Sequence, residues 1–207
     1  MVDEGFREAV TPYQSGEAGG IPWPWSVPDG AWSWELFCTL PEDGNRYEVI
    51  GGRLVMSPPP KTGHQAVSMQ LALQLGHWAK RTGAGKVFAA PLALILPNTA
   101  SYLEPDLLFV AREHRSIITP DHVQGPPDLV VEILSPGSLR ADWVDKKAVY
   151  EKALVPRYWV VDPEAKTLTA FQLDEGRYQL EGRYAGEASF TPEGLPDLTV
   201  DLAAVWD

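Results

Sequence analysis

Cysteine and histidine are scarce in this 207-residue chain, which contains one cysteine, Cys38, and four histidines. A single cysteine excludes an intramolecular disulfide framework and a zinc site built on several cysteines. The histidines lie at positions 64, 77, 114 and 122, so none shows the H-x-x-x-H spacing of a zinc peptidase. No apolar run reaches the ~18 residues of a membrane span, and the N-terminus does not resemble a signal peptide. We therefore expect a soluble, cytoplasmic protein.

Basic residues are also few, with 17 Lys and Arg against 28 Asp and Glu, for a formal net charge of −11. Non-specific binding of nucleic acid depends on clustered Lys and Arg. The composition therefore argues against tight binding of nucleic acid by overall charge. Net charge governs solubility and long-range steering, however, and it does not locate a site.

The order of predicted elements indicates a mixed α/β protein. Residues 1–30, which are rich in Gly and Pro and include Trp23 and Trp25, predict an extended arm before a single domain over residues 31–207. Within that domain, the patterns of the first half predict a short helix over 32–40 with Ser33 as its cap, a hairpin over 47–56 with a Gly51-Gly52 turn, a helix over 64–81, a strand over 86–96 that is interrupted or bent at Pro91, and a strand over 107–111. The second half predicts a buried central strand in D-L-V-V-E-I-L-S, a helix over 141–153 with Val144, Ala148 and Tyr150 facing inward, a strand in R-Y-W-V-V-D-P, and a hairpin over 168–184.

Glu132 interrupts the apolar run of the predicted central strand. A buried carboxylate without a partner costs several kcal/mol, so Glu132 needs a cation, a hydrogen-bond network or a metal ion. Asp106 starts the preceding strand, and residues opposed on neighbouring strands lie about 5 Å apart, near enough to share a metal ion. Asp128, on the strand of Glu132 itself, is about 13 Å away and too distant for that. A structural carboxylate paired with Arg or Lys is the alternative for Glu132.

The helix that follows this strand offers a cation. Asp142, Lys146 and Tyr150 recur every four residues and share one helix face, which can fold back over the end of the Glu132 strand. Considered alone, Asp142 and Lys146 are typical of an exposed i,i+4 pair worth ~0.3–0.5 kcal/mol. Two carboxylates and a lysine around a hard cation such as Mg²⁺ suit hydrolysis of a phosphodiester, because the metal activates water and the lysine stabilises developing negative charge.

Several motifs, in a fixed order, resemble one protein family. They are Y-E-V-I-G-G-R-L-V-M at 47–56 followed by S-P-P-P and His64, P-D-L at 105–107, D-L-V-V-E-I-L-S-P-G-S, D-x-x-x-K-x-x-x-Y, and V-P-R-Y-W-V-V-D-P. Together they resemble the Uma-type family of restriction-endonuclease-like proteins, within the PD-(D/E)XK nuclease superfamily. The resemblance runs from about Trp32 to Leu173.

This resemblance implies a restriction-endonuclease-like core, which is a mixed central sheet flanked by helices, with additional hairpins. It also implies Asp106 and Glu132 as metal ligands, Mg²⁺ (or Mn²⁺) as the cofactor, and DNA as the substrate. The usual superfamily lysine lies two positions after the second acid, where this chain has Leu134, and the resemblance places that lysine at Lys146 instead. Glu48, in the Y-E motif, is implied as an accessory catalytic acid, with a solvated hairpin carboxylate as the alternative.

Other interpretations stay open at this point. His64 suits helix capping or packing, and Tyr150 suits a core position. The alternatives to a metal-dependent nuclease are a non-catalytic binding or assembly module on the same scaffold, and a hydrolase of another phosphate ester. We expect weak DNA binding because of the acidic charge. The oligomeric state is left open, and a homodimer is the first candidate because it is the commonest closed assembly.

Overall fold

The structure, a computed structural model, describes residues 26–135 and 141–207. Residues 1–25, which include most of the predicted arm with Trp23 and Trp25, lie outside the described residues. The described part is a mixed α/β structure, as predicted from the order of elements. Two large mixed sheets pack together, with few helices. None of the helices in the described ranges is long and apolar enough to cross a bilayer.

The helices and the strands are numbered separately, each in chain order. The helices are α1 (Trp34–Phe37), α2 (Thr62–Thr82) and α3 (Lys147–Lys152), and a π-helical turn, Ala141–Lys146, leads directly into α3. The strands are β1 (Arg46–Ile50), β2 (Arg53–Ser57), β3 (Gly85–Ala89), β4 (Ala93–Leu96), β5 (Ser101–Leu103), β6 (Leu107–Ala111), β7 (His122–Gln124), β8 (Leu129–Ile133), β9 (Arg157–Asp162), β10 (Thr167–Asp174), β11 (Arg177–Ala185), β12 (Ser189–Phe190) and β13 (Val200–Asp201).

The first elements begin and end at local signals in the sequence. The Ser33 side chain caps α1 by accepting a hydrogen bond from the backbone N–H of Leu36 at 3.2 Å. The turn between β1 and β2 needs positive φ at both of its glycines, and Gly51 and Gly52 have φ values of 59° and 88°. Gly83, with φ 67°, ends α2 in the left-handed conformation.

The predicted strand over residues 86–96 is interrupted at Pro91, which was one of the two alternatives for this proline. The structure has two strands there, β3 and β4, which belong to different sheets. Pro91 lies between them, and it has no backbone N–H to contribute to a ladder. The chain therefore changes sheets at this proline, which the sequence did not predict.

The larger sheet has six strands in the order β11-β10-β9-β8-β6-β3, and the second has five in the order β2-β1-β5-β4-β7. Strand β8 lies at the centre of the larger sheet, parallel to β9 and antiparallel to β6. All five of its residues are buried. The sequence prediction of a buried central strand is confirmed.

Two separate cores cover the two faces of the six-stranded sheet. On one face, α2 packs Leu71, Leu75 and Trp78 against alternate strand residues such as Val131. The other face, which includes Val130, packs against the five-stranded sheet and α3. Since strand side chains alternate between faces, Glu132 shares the face of Val130 and points toward the space between the two sheets.

Candidate active site

Asp106 and Glu132 face each other across the pair β6 and β8. Leu107 is opposite Val131 in the antiparallel register, so one step further along both strands places Asp106 opposite Glu132. Both carboxylates are buried, with residue exposures of 3% and 1%. The neighbouring-strand geometry that the sequence predicted is therefore present in the structure.

Glu48 approaches the same place from the other sheet. It shares a strand face with Ile50, which packs in the core between the sheets, because the two are two residues apart in β1. Glu48 is buried, and its Oε1 accepts a hydrogen bond from the backbone N–H of Glu104 at 2.8 Å. It is not the solvated hairpin carboxylate of the alternative interpretation.

Lys146 lies between the two sheets and joins their carboxylates. Its Nζ is 3.0 Å from Glu132 Oε2 and 2.9 Å from Glu48 Oε2. The residue is 2% exposed, so it is not half of an exposed surface pair. Asp142, the other member of that suggested pair, lies in the π-helical turn, and its side chain is outside the described part of the structure.

Tyr150 lies one helical turn beyond Lys146 and orients Glu132. Its hydroxyl donates to Glu132 Oε1 at 2.6 Å, and the residue has no exposed surface. Burial, followed by the negative charges of Glu132 and Glu48, holds the pKa of Tyr150 well above its usual range. Tyr150 therefore stays protonated and remains a donor, a role that the interpretation as a core tyrosine missed.

The turn before α3 changes which side chains face inward. The sequence predicted Val144 and Ala148 on the inner face, but Val144 is 53% exposed and Ala148 is also exposed. A π-helical turn has more residues per turn than an α-helix, so the regular 3.6-residue spacing does not extend back through it. Lys146 and Tyr150 both point inward, as the shared-face prediction required.

Asp106 is held by three donors. Its Oδ1 accepts from Arg46 Nη1 at 2.9 Å, and its Oδ2 accepts from the backbone N–H of Ile133 at 2.7 Å and contacts His64 Nε2 at 3.2 Å. Burial alone would raise the pKa of Asp106. The hydrogen bond with His64 and the charges of Arg46 and Lys146 outweigh burial and lower the pKa to about 2. Asp106 is therefore an anion at neutral pH.

His64 and Arg46 belong to this site, although the sequence analysis did not place them there. His64 lies near the start of α2, where capping or packing was expected, and it instead contacts Asp106. The sequence patterns predicted no role for Arg46. Its signal in the sequence is the alternation along β1, because Arg46 lies two residues before Glu48 and shares its strand face.

These side chains enclose a small polar cavity. Among the described residues, its lining consists of Arg46, Glu48, Ser57, Pro58, Pro60, His64, Asp106, Glu132, Ile133, Ser135 and Lys146. The cavity volume is about 30 Å³, and a polar cavity above about 10–15 Å³ has room for a water molecule. The site can therefore accept a single ion or water between its carboxylates.

All four residues predicted for catalysis line this one cavity: Glu48, Asp106, Glu132 and Lys146. The structure thus brings together residues that are separated by up to 98 positions in the chain. Their roles in catalysis, and the binding of metal by Asp106 and Glu132, stay predictions.

The fold and the site define a mixed α/β protein with a buried acidic pocket between two sheets. Residues 34–203 match the family model described as "Uma2: Putative restriction endonuclease". The chain belongs to this family, and the membership supports a nuclease-like function.

A solved structure shows the same fold. The chain is similar to the crystal structure of "a putative nuclease belonging to DUF820" from Anabaena variabilis ATCC 29413, with a TM-score of 0.68 and 17% sequence identity. The match covers 83% of this chain and 96% of that chain. At this identity the likeness establishes the fold alone, which is the mixed α/β fold expected from the sequence. No curated protein matches the chain.

Proposed function

We propose that this protein is a metal-dependent nuclease that hydrolyses phosphodiester bonds in DNA. The observation that carries the proposal is the opposition of Asp106 and Glu132 on adjacent buried strands, with the ammonium group of Lys146 3.0 Å from Glu132. Membership of a family described as a restriction endonuclease family supports the same reaction. A homodimer and a cytoplasmic location are carried forward as predictions.

The residues of the pocket fit a divalent metal ion with oxygen ligands. Asp106 and Glu132 offer carboxylate oxygens, which Mg²⁺ and Mn²⁺ prefer, and the cavity has room for one ion. Within residues 26–135 and 141–207, no group of three or more His, Cys, Asp or Glu side chains is arranged to hold a metal. Mg²⁺ commonly takes one or two carboxylates and completes its shell with water and substrate phosphate, so Asp106 and Glu132 would suffice as protein ligands.

The chain's own residues prepare the site for this chemistry. A bound metal supplies positive charge and lowers the pKa of a coordinated water. Asp106 and Glu132 would hold the metal, and Tyr150 fixes the orientation of Glu132 through the hydrogen bond to Oε1. Lys146, which lines the cavity, places an ammonium charge where it stabilises negative charge that develops on a phosphate. Glu48 holds Lys146 from the opposite side.

A cleavage assay with supercoiled plasmid and single-stranded DNA tests the proposal, at low salt because the protein is acidic. We expect metal-dependent nicking that a chelator abolishes, and a loss of at least 100-fold in Glu132→Gln, which keeps the size of the side chain. Asp128→Asn is the matched control, because Asp128 is also a buried acid beside β8 but lies at its other end. Its cleavage rate should stay within about threefold of the original protein.

Calorimetric titration with Mg²⁺ or Mn²⁺ separates metal binding from catalysis. Equal metal affinity in the original protein and in Glu132→Gln would contradict the assignment of Glu132 as a ligand. Metal binding that depends on Glu132, together with intact DNA under all conditions, would contradict the nuclease proposal and favour a non-catalytic module.

A further inference from the structure

Arg46 is the charged side chain of the cavity that the proposed reaction does not use. Its Nη1 donates to Asp106 Oδ1 at 2.9 Å, while Nη2 lies 3.9 Å from Glu48 Oε1 and Nε lies 3.9 Å from Glu104 Oε2. The side chain is only 18% exposed. The guanidinium group is thus placed among three acids and bonded to one of them.

The two longer distances distinguish charge attraction from hydrogen bonding. At 3.9 Å, two opposite charges still attract each other, but an N–H group does not form a hydrogen bond. Nε and Nη2 are buried and have no hydrogen-bond partner in the described part of the structure. Leaving buried donors unpaired costs about 1–3 kcal/mol each, so this position is maintained by the surrounding negative charge.

The charge balance of the cavity explains why a cation is needed there. Among the described residues that line it, the carboxylates of Glu48, Asp106 and Glu132 meet two basic side chains, Arg46 and Lys146. These described side chains carry one negative charge in excess, and without Arg46 they would carry two. Burying several like charges together is unfavourable, so the acids need Arg46 most when no metal ion is bound.

Arg46 and a metal ion would also compete. Both interact with the carboxylate of Asp106, and Arg46 already donates a hydrogen bond to its Oδ1. A fixed positive charge close to the cavity repels an incoming divalent ion, and this repulsion is strong where water is excluded. If Arg46 only supported Asp106, its removal would weaken metal binding. If it competes with the metal, its removal strengthens metal binding.

We propose that Arg46 is the counter-cation that stabilises the acidic pocket before a metal ion binds. It also shares Asp106 with the metal ion and thereby lowers the affinity of the site for metal. Arg46 acts through Asp106 and is a positioning residue. The inference rests on the proposed function, since it concerns the metal of that site.

Calorimetric titration with Mg²⁺ tests the inference on three variants. In Arg46→Gln, which removes the charge, we expect the dissociation constant for Mg²⁺ to fall about tenfold. Arg46→Lys keeps the charge and should bind Mg²⁺ within about threefold of the original protein. Arg53→Gln is the matched control, because Arg53 lies on the same hairpin, is 54% exposed and pairs with Asp145 instead. Its affinity for Mg²⁺ should not change.

Thermal melting with chelator and with saturating Mg²⁺ gives a second measurement. Because the stabilisation of the folded state by a ligand rises with the logarithm of its affinity, Mg²⁺ should raise the melting temperature of Arg46→Gln more than that of the original protein. Arg46→Gln that remains unfolded at saturating Mg²⁺ would show that the metal cannot replace the guanidinium charge, and would overturn the inference.

The outcomes separate this inference from the proposed function. Weaker or unchanged Mg²⁺ binding in Arg46→Gln, with normal binding by the original protein, overturns the role of Arg46 and leaves the metal site intact. Absence of Mg²⁺ binding in the original protein and in every variant overturns both. Tighter binding in Arg46→Gln alone supports the inference, whatever the cleavage assay shows.

Discussion

Replacing Lys146 with Met removes the positive charge between the two sheets while it keeps most of the side-chain volume. Lys146 is 3.0 Å from Glu132 and 2.9 Å from Glu48, and the side chains of these carboxylates are 2% and 6% exposed. The substitution therefore leaves two buried carboxylates without their shared cation.

The expected effect follows from this burial. Removing one partner of a buried ion pair typically costs about 3–5 kcal/mol, because the remaining charge stays buried and uncompensated. One ammonium group serves two carboxylates here, so we expect the upper end, a loss of about 5 kcal/mol in the free energy of unfolding. Domains of this kind are commonly stable by about 5–15 kcal/mol, so the variant should be marginally stable.

Equilibrium unfolding in urea, followed by tryptophan fluorescence, measures this loss. The titration is carried out with chelator, because a bound divalent ion would compensate for the missing charge. Lys147→Met is the matched control on the neighbouring residue. Lys147 Nζ lies 3.9 Å from the ring centroid of Phe171, and such a cation–π contact contributes about 0.5–1 kcal/mol when partly exposed.

A small effect would refute the reasoning. An exposed i,i+4 pair contributes only ~0.3–0.5 kcal/mol. A loss below about 1 kcal/mol in Lys146→Met, or one no larger than in Lys147→Met, would mean that Lys146 does not compensate the two carboxylates.

Two further substitutions test separate parts of the structure. Tyr150→Phe removes the fully buried hydroxyl that donates to Glu132 Oε1 at 2.6 Å. Hydrogen bonds to charged groups contribute about 1.5–3 kcal/mol, so urea unfolding should show a loss of that size in the free energy of unfolding. An unchanged free energy of unfolding would contradict this bond. Asp128→Asn weakens the bonds that Asp128 makes to the Ala111 backbone N–H at 2.7 Å and to His114 Nδ1 at 2.8 Å, and should cost about 1–2 kcal/mol. The affinity of Asp128→Asn for Mg²⁺ should equal that of the original protein, and a large change would place the metal elsewhere.

Much of the fold was predictable because its signals are local. The apolar run of β8 indicated a buried central strand, and the glycine pair indicated the turn of the first hairpin. Glu132 could be singled out because a carboxylate in a buried strand demands a partner. Asp106 followed from strand order alone, since residues opposed across adjacent strands are close in space.

The sequence predictions are wrong where a local pattern is overruled by packing between residues distant in the chain. The run over residues 87–96 carries no charged or strongly polar residue, but its two halves enter different sheets, and this depends on which neighbours are available to pair with each half. Val144 was assigned to the inner face because it is apolar, yet it is exposed while Lys146 is buried. The inner face must accept a charge there because two buried carboxylates already occupy the opposite wall.

The sequence by itself determined the mixed α/β class, the family motifs, and the acids of the six-stranded sheet, because these depend on periodicity and on neighbouring strands. Only the tertiary structure decided that Glu48 and Arg46 belong with them. Both lie on the other sheet, and the packing of two sheets face to face has no short-range signal in the chain. The burial of Lys146 was decided in the same way, because its position is set by carboxylates from both sheets at once.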